Sequence, residues 1–254
     1  MKLEPERIKA TATAFKIQKE LGFPHPREVD LKDLAMDRNV FVREGEMKGA
    51  EGRLLRKKKS GIIHIRKGIA PEGRRRFTIA HELGHWELHA EYSQFLCNAE
   101  DMRDYGRSAL EVEANHFAAE LLMPTAYFRA SCEKAEPSLD LIRALSTEFE
   151  TTLTATAIRF ADTTPQKVVV VWFEGGIIRW SYNNAKSGAP FVVAGRKPPA
   201  YSSATLPEEE VDVDMAHYDD ADWFPELNWD KDEVVEQTIR MPKLNAGLTL
   251  LWVP

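Results

Sequence analysis

Apolar and polar positions alternate with two distinct periods along this chain, and the change of period marks out its elements. Ile8, Ala12, Phe15 and Lys19 recur at helical spacing, so the first twenty residues predict a helix ended by Gly22, Pro24 and Pro26. VDLKDLAMDRN predicts a second, short helix, with Asp30 as its N-cap and Leu31, Leu34 and Ala35 on one side. The period then falls to two. VFVRE reads as a strand, and GRLLRKKKSGIIHIR as two strands around a basic turn closed by Ser60 and Gly61. Helical spacing returns in RRRFTIAHELGHWELH and again over residues 108–122, SALEVEANHFAAELL, where Met123 and Pro124 stop it. After a link around SCEKAEPS come two helices, LDLIRALSTEF and TLTATAIRFA, separated by a short ETT turn. KVVVVWFEGGIIRWSY is a hairpin turning at Gly175 and Gly176, and LTLLWV is a further strand. The switch from helix to sheet at DTTPQ places a domain boundary near residues 162–166.

At 254 residues, with 43% hydrophobic and 29% charged positions, the chain has enough apolar material for one sizeable core or two modest ones. No apolar run approaches the roughly 20 residues that span a bilayer, and MKLEPERIKATATAF has charged and polar residues where a signal peptide carries its apolar stretch. A cytoplasmic protein is expected. The two cysteines, Cys97 and Cys132, have no CxxC spacing, which excludes a zinc ribbon and argues against a disulfide framework. The net charge of −6 is unevenly spread: cations gather at Arg53, Arg56–Lys59, Arg66, Lys67 and Arg74–Arg76, and residues 208–236 are acidic. Solvated surface accounts for both stretches.

The chemistry lies in HELGH. On a helix of about 3.6 residues per turn, His81 and His85 leave one face a turn apart, so their imidazoles can converge on one ion. A catalytic zinc takes three protein ligands and keeps one position open, so two histidines are not enough. Glu82 points away from the ligand axis, where its carboxylate can serve first as general base and then as general acid. Gly84 removes a side chain where another element must approach closely. The third ligand is sought in EVEANHFAAELLMP, whose Ala114, Ala118 and Ala119 allow tight packing. Glu111 shares a face with Ala114, Asn115 and Ala118, and Asn115 can there hold a ligand histidine. Glu113 shares the bulkier face of His116, Phe117 and Glu120. Glu111 is therefore favoured and Glu113 assigned to the surface. His89, one turn beyond His85, is read as a structural residue at the helix end, with a bond near the site or ligation as alternatives. His116, Tyr92 and Tyr127 are conceivable oxyanion donors, with none singled out. His64 is read as an outward-facing strand residue.

With RRRFTIAHELGHWELH and EVEANHFAAELLMP in this order, preceded by the GRLL…GIIHI hairpin, the chain resembles the ImmA/IrrE family of metallo-endopeptidases. The likeness is good over residues 1 to about 130 and loose beyond. It implies zinc, with manganese as the alternative, held by His81, His85 and a glutamate of EVEAN, with Glu82 as the catalytic carboxylate. It also implies a helix-turn-helix repressor as substrate, whose cleavage releases genes of mobile elements or of a stress response. The fold expected is α+β: a mainly helical, zincin-like peptidase domain with a small sheet over residues 1–130, a helix pair over 131–164, and a small α/β domain over 165–254. GIIHIR offers a strand on which an extended peptide can align.

Residues 138–161 resemble the helix pair that follows the peptidase core in longer family members, where it has a helix-turn-helix look, but TLTATAIRFA presents only Arg159 as a cation, which argues against direct DNA contact. Trp172, Trp180, Trp223, Trp229 and Trp252 are assigned to core packing, and no GxGxxG or GxxxxGK[ST] fingerprint occurs. The alternative function is a regulatory binding protein that sequesters a repressor or works within a toxin–antitoxin pair.

Overall fold

The structure is a computed structural model, and it describes residues 5–22, 24–97, 109–133, 135–184, 187–205, 216–219, 223–224 and 233–253. Contacts divide the chain into two compact units, Met1–Thr125 with Ser146–Thr152, and Ala126–Leu145 with Leu153–Pro254. The whole is mixed α+β, with seven α-helices and two small sheets among the described residues. No helix there is long and apolar enough to cross a membrane.

In the first unit, α1 (Pro5–Glu20) packs on α4 (Ala109–Leu122). Its buried face is Ala10, Ala14, Ile17 and Gln18, whereas Ile8 and Phe15 are 52% and 49% exposed. This corrects the face expected from Ile8, Ala12 and Phe15. Close approach to α4 selects the small residues, and Gln18 Nε2 donates to Glu120 O at 2.6 Å across the contact. Helix α2 (Leu31–Asp37) starts where Asp30 Oδ1 accepts from the backbone N–H of Lys32 and Asp33 at 2.7 and 3.3 Å.

Four strands follow the order β1–β3–β2–β4, namely β1 (Val40–Gly45), β2 (Gly52–Lys57), β3 (Ser60–Arg66) and β4 (Gln94–Cys97). β1 runs parallel to β3, while β2 is antiparallel to both β3 and β4. The β2–β3 turn is basic as expected, at Lys58–Lys59 with Lys58 at φ +55°, and Ser60 and Gly61 belong to β3 instead of closing it. Gly61 lies inside β3 for a different reason, since a Cβ there would sit 2.8 Å from the Trp86 ring. β3 is interior to the sheet, so GIIHIR has its backbone paired on both sides and cannot take up a peptide strand; among the described residues the edges are β1 and β4.

Helix α3 (Glu72–Leu88) is buried without a break from Arg76 to His85, because α4, β2 and β3 all pack against it. Such a helix must be apolar or internally satisfied all round, which is why RFTIA precedes HELGH.

The second unit contains α5 (Thr125–Cys132) apart from its first residue, α7 (Leu153–Thr163), and the greater part of α6 (Leu139–Glu148). Its five-stranded antiparallel sheet has the order β6–β5–β9–β8–β7, with β5 (Lys167–Glu174), β6 (Ile177–Asn183), β7 (Ala216–Asp219), β8 (Glu233–Met241) and β9 (Ala246–Val253). β5 is buried on both faces: α7 packs against it, and Val169 and Val171 join a core with Val192, Trp223, Phe224 and Leu251. Trp172, Trp223 and Trp252 are buried, Trp180 stacks on Trp172, and Trp229 lies outside the described residues. Arg159 is 9% exposed with Nη1 4.0 Å from Asp162 Oδ2, so it does not stand on an open face of α7.

Candidate metal centre

Gly84 is where α3 and α4 meet. A Cβ on it would lie 3.2 Å from both the Cα and the carbonyl oxygen of Ala114, so glycine and alanine together let the two helices come close enough to share a site. Around this crossing the polar residues of both helices converge. His81 Nε2 lies 3.0 Å from Glu111 Oε2, His85 Nε2 lies 3.3 Å from the same oxygen, and the two Nε2 atoms are 3.1 Å apart. Both imidazoles are fully buried, and the Glu111 side chain is 15% exposed.

These edges suit a cation. Donors placed roughly 2.0–2.1 Å from one tetrahedral ion are separated by about 3.3–3.4 Å, close to what the three atoms already show. The donor set of two imidazoles and one carboxylate also suits zinc in its catalytic form. His81 is held for such a role: its Nδ1 donates to Asn115 Oδ1 at 3.0 Å, which turns Nε2 inward.

The electrostatics report the same demand. Burial is the largest influence on His81 and opposes its charged form, but the bond to Glu111 and the charges of Glu82 and Glu111 outweigh it and raise its pKa. Burial would also raise Glu111; the bonds to His81 and His85, with their charges, instead hold its carboxyl well below the usual carboxylate range. His85 is governed by burial and falls to about 4. The shifts of His81 and Glu111 both favour positive charge beside the Glu111 carboxylate.

Glu82 is fully buried beside this cluster, under the first residue of β2. A Cβ on Gly52 would be 2.9 Å from Glu82 Cδ, so the carboxyl occupies the volume that this glycine vacates. The ring of Phe95, on β4, stacks on His85 with centroids 3.9 Å apart, and so carries the β4 edge past the site.

Similarity to known proteins gives the family. The model of the IrrE N-terminal-like domain, a peptidase family, matches residues 35–161, half of the chain. This chain belongs to the IrrE N-terminal-like family of peptidases. No curated protein matches it. Among solved structures, the "Mycobacterium tuberculosis transcriptional regulator" is similar to this IrrE-like chain with a TM-score of 0.63 and 16% identity, over 96% of this chain and 88% of that one. That likeness shows a shared fold.

One residue of the IrrE-like core stands elsewhere than the sequence suggests. Glu113, expected on the surface, is 8% exposed, and its Oε2 lies 3.0 Å from His89 Nε2. The assumption of a single buried face failed because α4 is covered by α1 as well as by α3. His89 is the C-cap of α3, and its Nδ1 is 2.9 Å from His85 Nδ1, so it is both structural and bonded to the site. His64 sits on the outer sheet face between Arg43 and Arg53, Tyr92 is 43% exposed with its ring edge-on to His89, His116 is half-buried on α4, and Tyr127 is on α5. Gly52 and Phe95 were missed. The glycine opening GRLL was the one available signal for the first, and QFLC is too short to stand out as a strand.

Proposed function

We propose that this chain is a cytoplasmic zinc-dependent endopeptidase, with manganese as the alternative ion, acting on a regulatory protein of the helix-turn-helix repressor class. The convergence of His81 Nε2, His85 Nε2 and Glu111 Oε2 carries this reading, because two imidazoles and a carboxylate locked together in a buried position call for a cation. His81, His85 and Glu111 would hold the ion. When bound, it would polarise the scissile carbonyl and acidify water. Glu82 takes a proton from the water as its oxygen bonds to the carbonyl carbon, and returns it to the amine nitrogen as the C–N bond breaks. Asn115 keeps His81 oriented, and Gly52 leaves room for the Glu82 carboxyl. An extended substrate aligns along the outer edge of β4, the strand that carries Phe95 against His85.

The test is incubation with the helix-turn-helix repressor encoded beside the gene, with and without chelator, followed by mass spectrometry. Two fragments whose masses sum to the repressor plus one water are expected, absent with chelator and absent in Glu82→Gln. If Glu82→Gln relieves repression as fully as the wild type and no fragments form, the chain works by sequestering its partner and the peptidase reading fails.

A further inference from the structure

We infer that His89 and Glu113 are positioning residues of the metal centre, fixing His85 as its Nδ1–H tautomer so that the Nε2 lone pair faces Glu111 and His81. The inference rests on the proposed metal centre and adds to it two side chains that hold no ion themselves.

The direction of each hydrogen bond follows from its neighbour. A carboxylate oxygen accepts, so in the 3.0 Å contact between Glu113 Oε2 and His89 Nε2 the ring nitrogen is the donor. His89 is 1% exposed, and Lys9 Nζ lies 3.8 Å from the same Glu113 oxygen, already supplying a countercharge. The proposed cation faces His85 Nε2, so the proton of that ring stands on Nδ1. Across 2.9 Å stands His89 Nδ1, which accepts it, while the other nitrogen of the same ring donates to Glu113. With its proton committed there, His85 is left with a lone pair on Nε2, the atom facing Glu111 Oε2 and His81 Nε2 at 3.3 and 3.1 Å. The opposite tautomer would set two lone pairs against each other in a fully buried position and aim an N–H at the place a cation would fill.

The arrangement is anchored on three helices. Glu113 comes from α4, and His89 is tied to α3 through its backbone N–H to His85 O at 3.1 Å. Lys9 comes from α1, and its Nζ also donates to Leu88 O at 3.0 Å, on the last turn of α3. Residues 1–34 precede the span matched by the family model, so α1 contributes to the site from outside that span. On the other ligand, Asn115 accepts from His81 Nδ1 and sets the same tautomer. Each histidine thus has its outer nitrogen occupied, by a single residue at His81 and by a chain of two at His85.

The test uses the full chain, stripped with chelator and titrated with Zn2+ against a chromophoric competitor, for the wild type, Glu113→Gln, Glu113→Ala, His89→Ala and His81→Ala. Far-UV circular dichroism checks that each variant is folded. The wild type should bind one equivalent, and His81→Ala should lose it. Glu113→Ala and His89→Ala should keep one equivalent, held about 10- to 100-fold more weakly. Glu113→Gln, which keeps an acceptor of the same size, should lose less. Ring-nitrogen NMR of the metal-free wild type should show His85 protonated at Nδ1. Should His89→Ala fail to fold, Glu113→Gln and the wild-type spectrum decide the matter. Wild-type affinity in folded Glu113→Ala and His89→Ala, or a wild-type His85 protonated at Nε2, overturns the inference. A wild type that takes up no zinc while showing His85 as Nδ1–H contradicts the metal reading and supports the relay.

Discussion

Gly52→Ala is a small change aimed at Glu82 alone, the carboxylate proposed to handle the proton. The new Cβ would lie 2.9 Å from Glu82 Cδ and 3.0 Å from Cγ, with Oε1 nearer still. Ordinary carbon–carbon contact is about 3.5–4.0 Å, so the carboxyl must retreat by roughly 0.5–1 Å. The atoms in the way belong to the end of a side chain, so neither backbone needs to move. The overpacking cost, about 1 kcal/mol, is partly offset by the loss of glycine's freedom in the unfolded chain, about 0.4–1 kcal/mol. Stability should hardly change. Catalysis should suffer far more, since a displacement of about 1 Å at a reacting group costs on the order of 100-fold in rate. His81, His85 and Glu111 are not touched, so zinc should stay. The assay is kcat/KM for repressor cleavage, with zinc content by mass spectrometry and Tm on the same preparation. A Gly52→Ala protein that cleaves at the wild-type rate with full zinc would refute the role given to Glu82 from its place under β2.

Other consequences can be checked with standard methods. Gly84→Ala would put a Cβ 3.2 Å from Ala114 backbone atoms, which forces α3 and α4 apart; denaturant unfolding should show a loss of about 1–3 kcal/mol together with weaker zinc binding. Asp30→Ala removes the acceptor for two backbone N–H groups and should cost about 1 kcal/mol by the same measurement. In the second unit, burial raises the pKa of Glu236 even though Trp223, Ser202 and Thr238 donate to it. The folded chain therefore binds this proton more tightly than the unfolded chain does. The resulting stability is fully present below the ordinary value of 4.5 and is lost as pH rises through the raised one. The unfolding free energy of the wild type minus that of Glu236→Gln should accordingly decline from acid pH towards neutrality, and a flat difference would contradict the assignment.

How far the sequence could be read depended on how many neighbours each element has. HELGH sits on a helix packed from several sides, and its two histidines needed only the helical period to be placed together. Gly84 and the alanines of α4 announced the close crossing, and Asn115 followed from its spacing to Glu111. Glu113 was misjudged because a one-face reading of α4 took no account of α1 on its other side. The same contact misled the reading of α1 itself, where Ala10 and Ala14 face inward and the larger Ile8 and Phe15 do not. In the hairpin the basic turn was legible, but Gly61 was read as closing it when it lies in β3 and makes room for Trp86. β8 was overlooked because EVVEQTIRM breaks strict alternation with a buried Glu236, whose place depends on donors about 13 and 34 residues away in the chain.

The central claim is that His81, His85 and Glu111 hold one divalent cation. Metal content of the purified chain after zinc loading and gel filtration, measured for the wild type, Glu111→Gln and Glu113→Gln, tests it most directly. One equivalent in the wild type and in Glu113→Gln, with none retained by Glu111→Gln, is the predicted result. A wild type that comes through free of metal, or a Glu111→Gln protein that still holds a full equivalent, would contradict it.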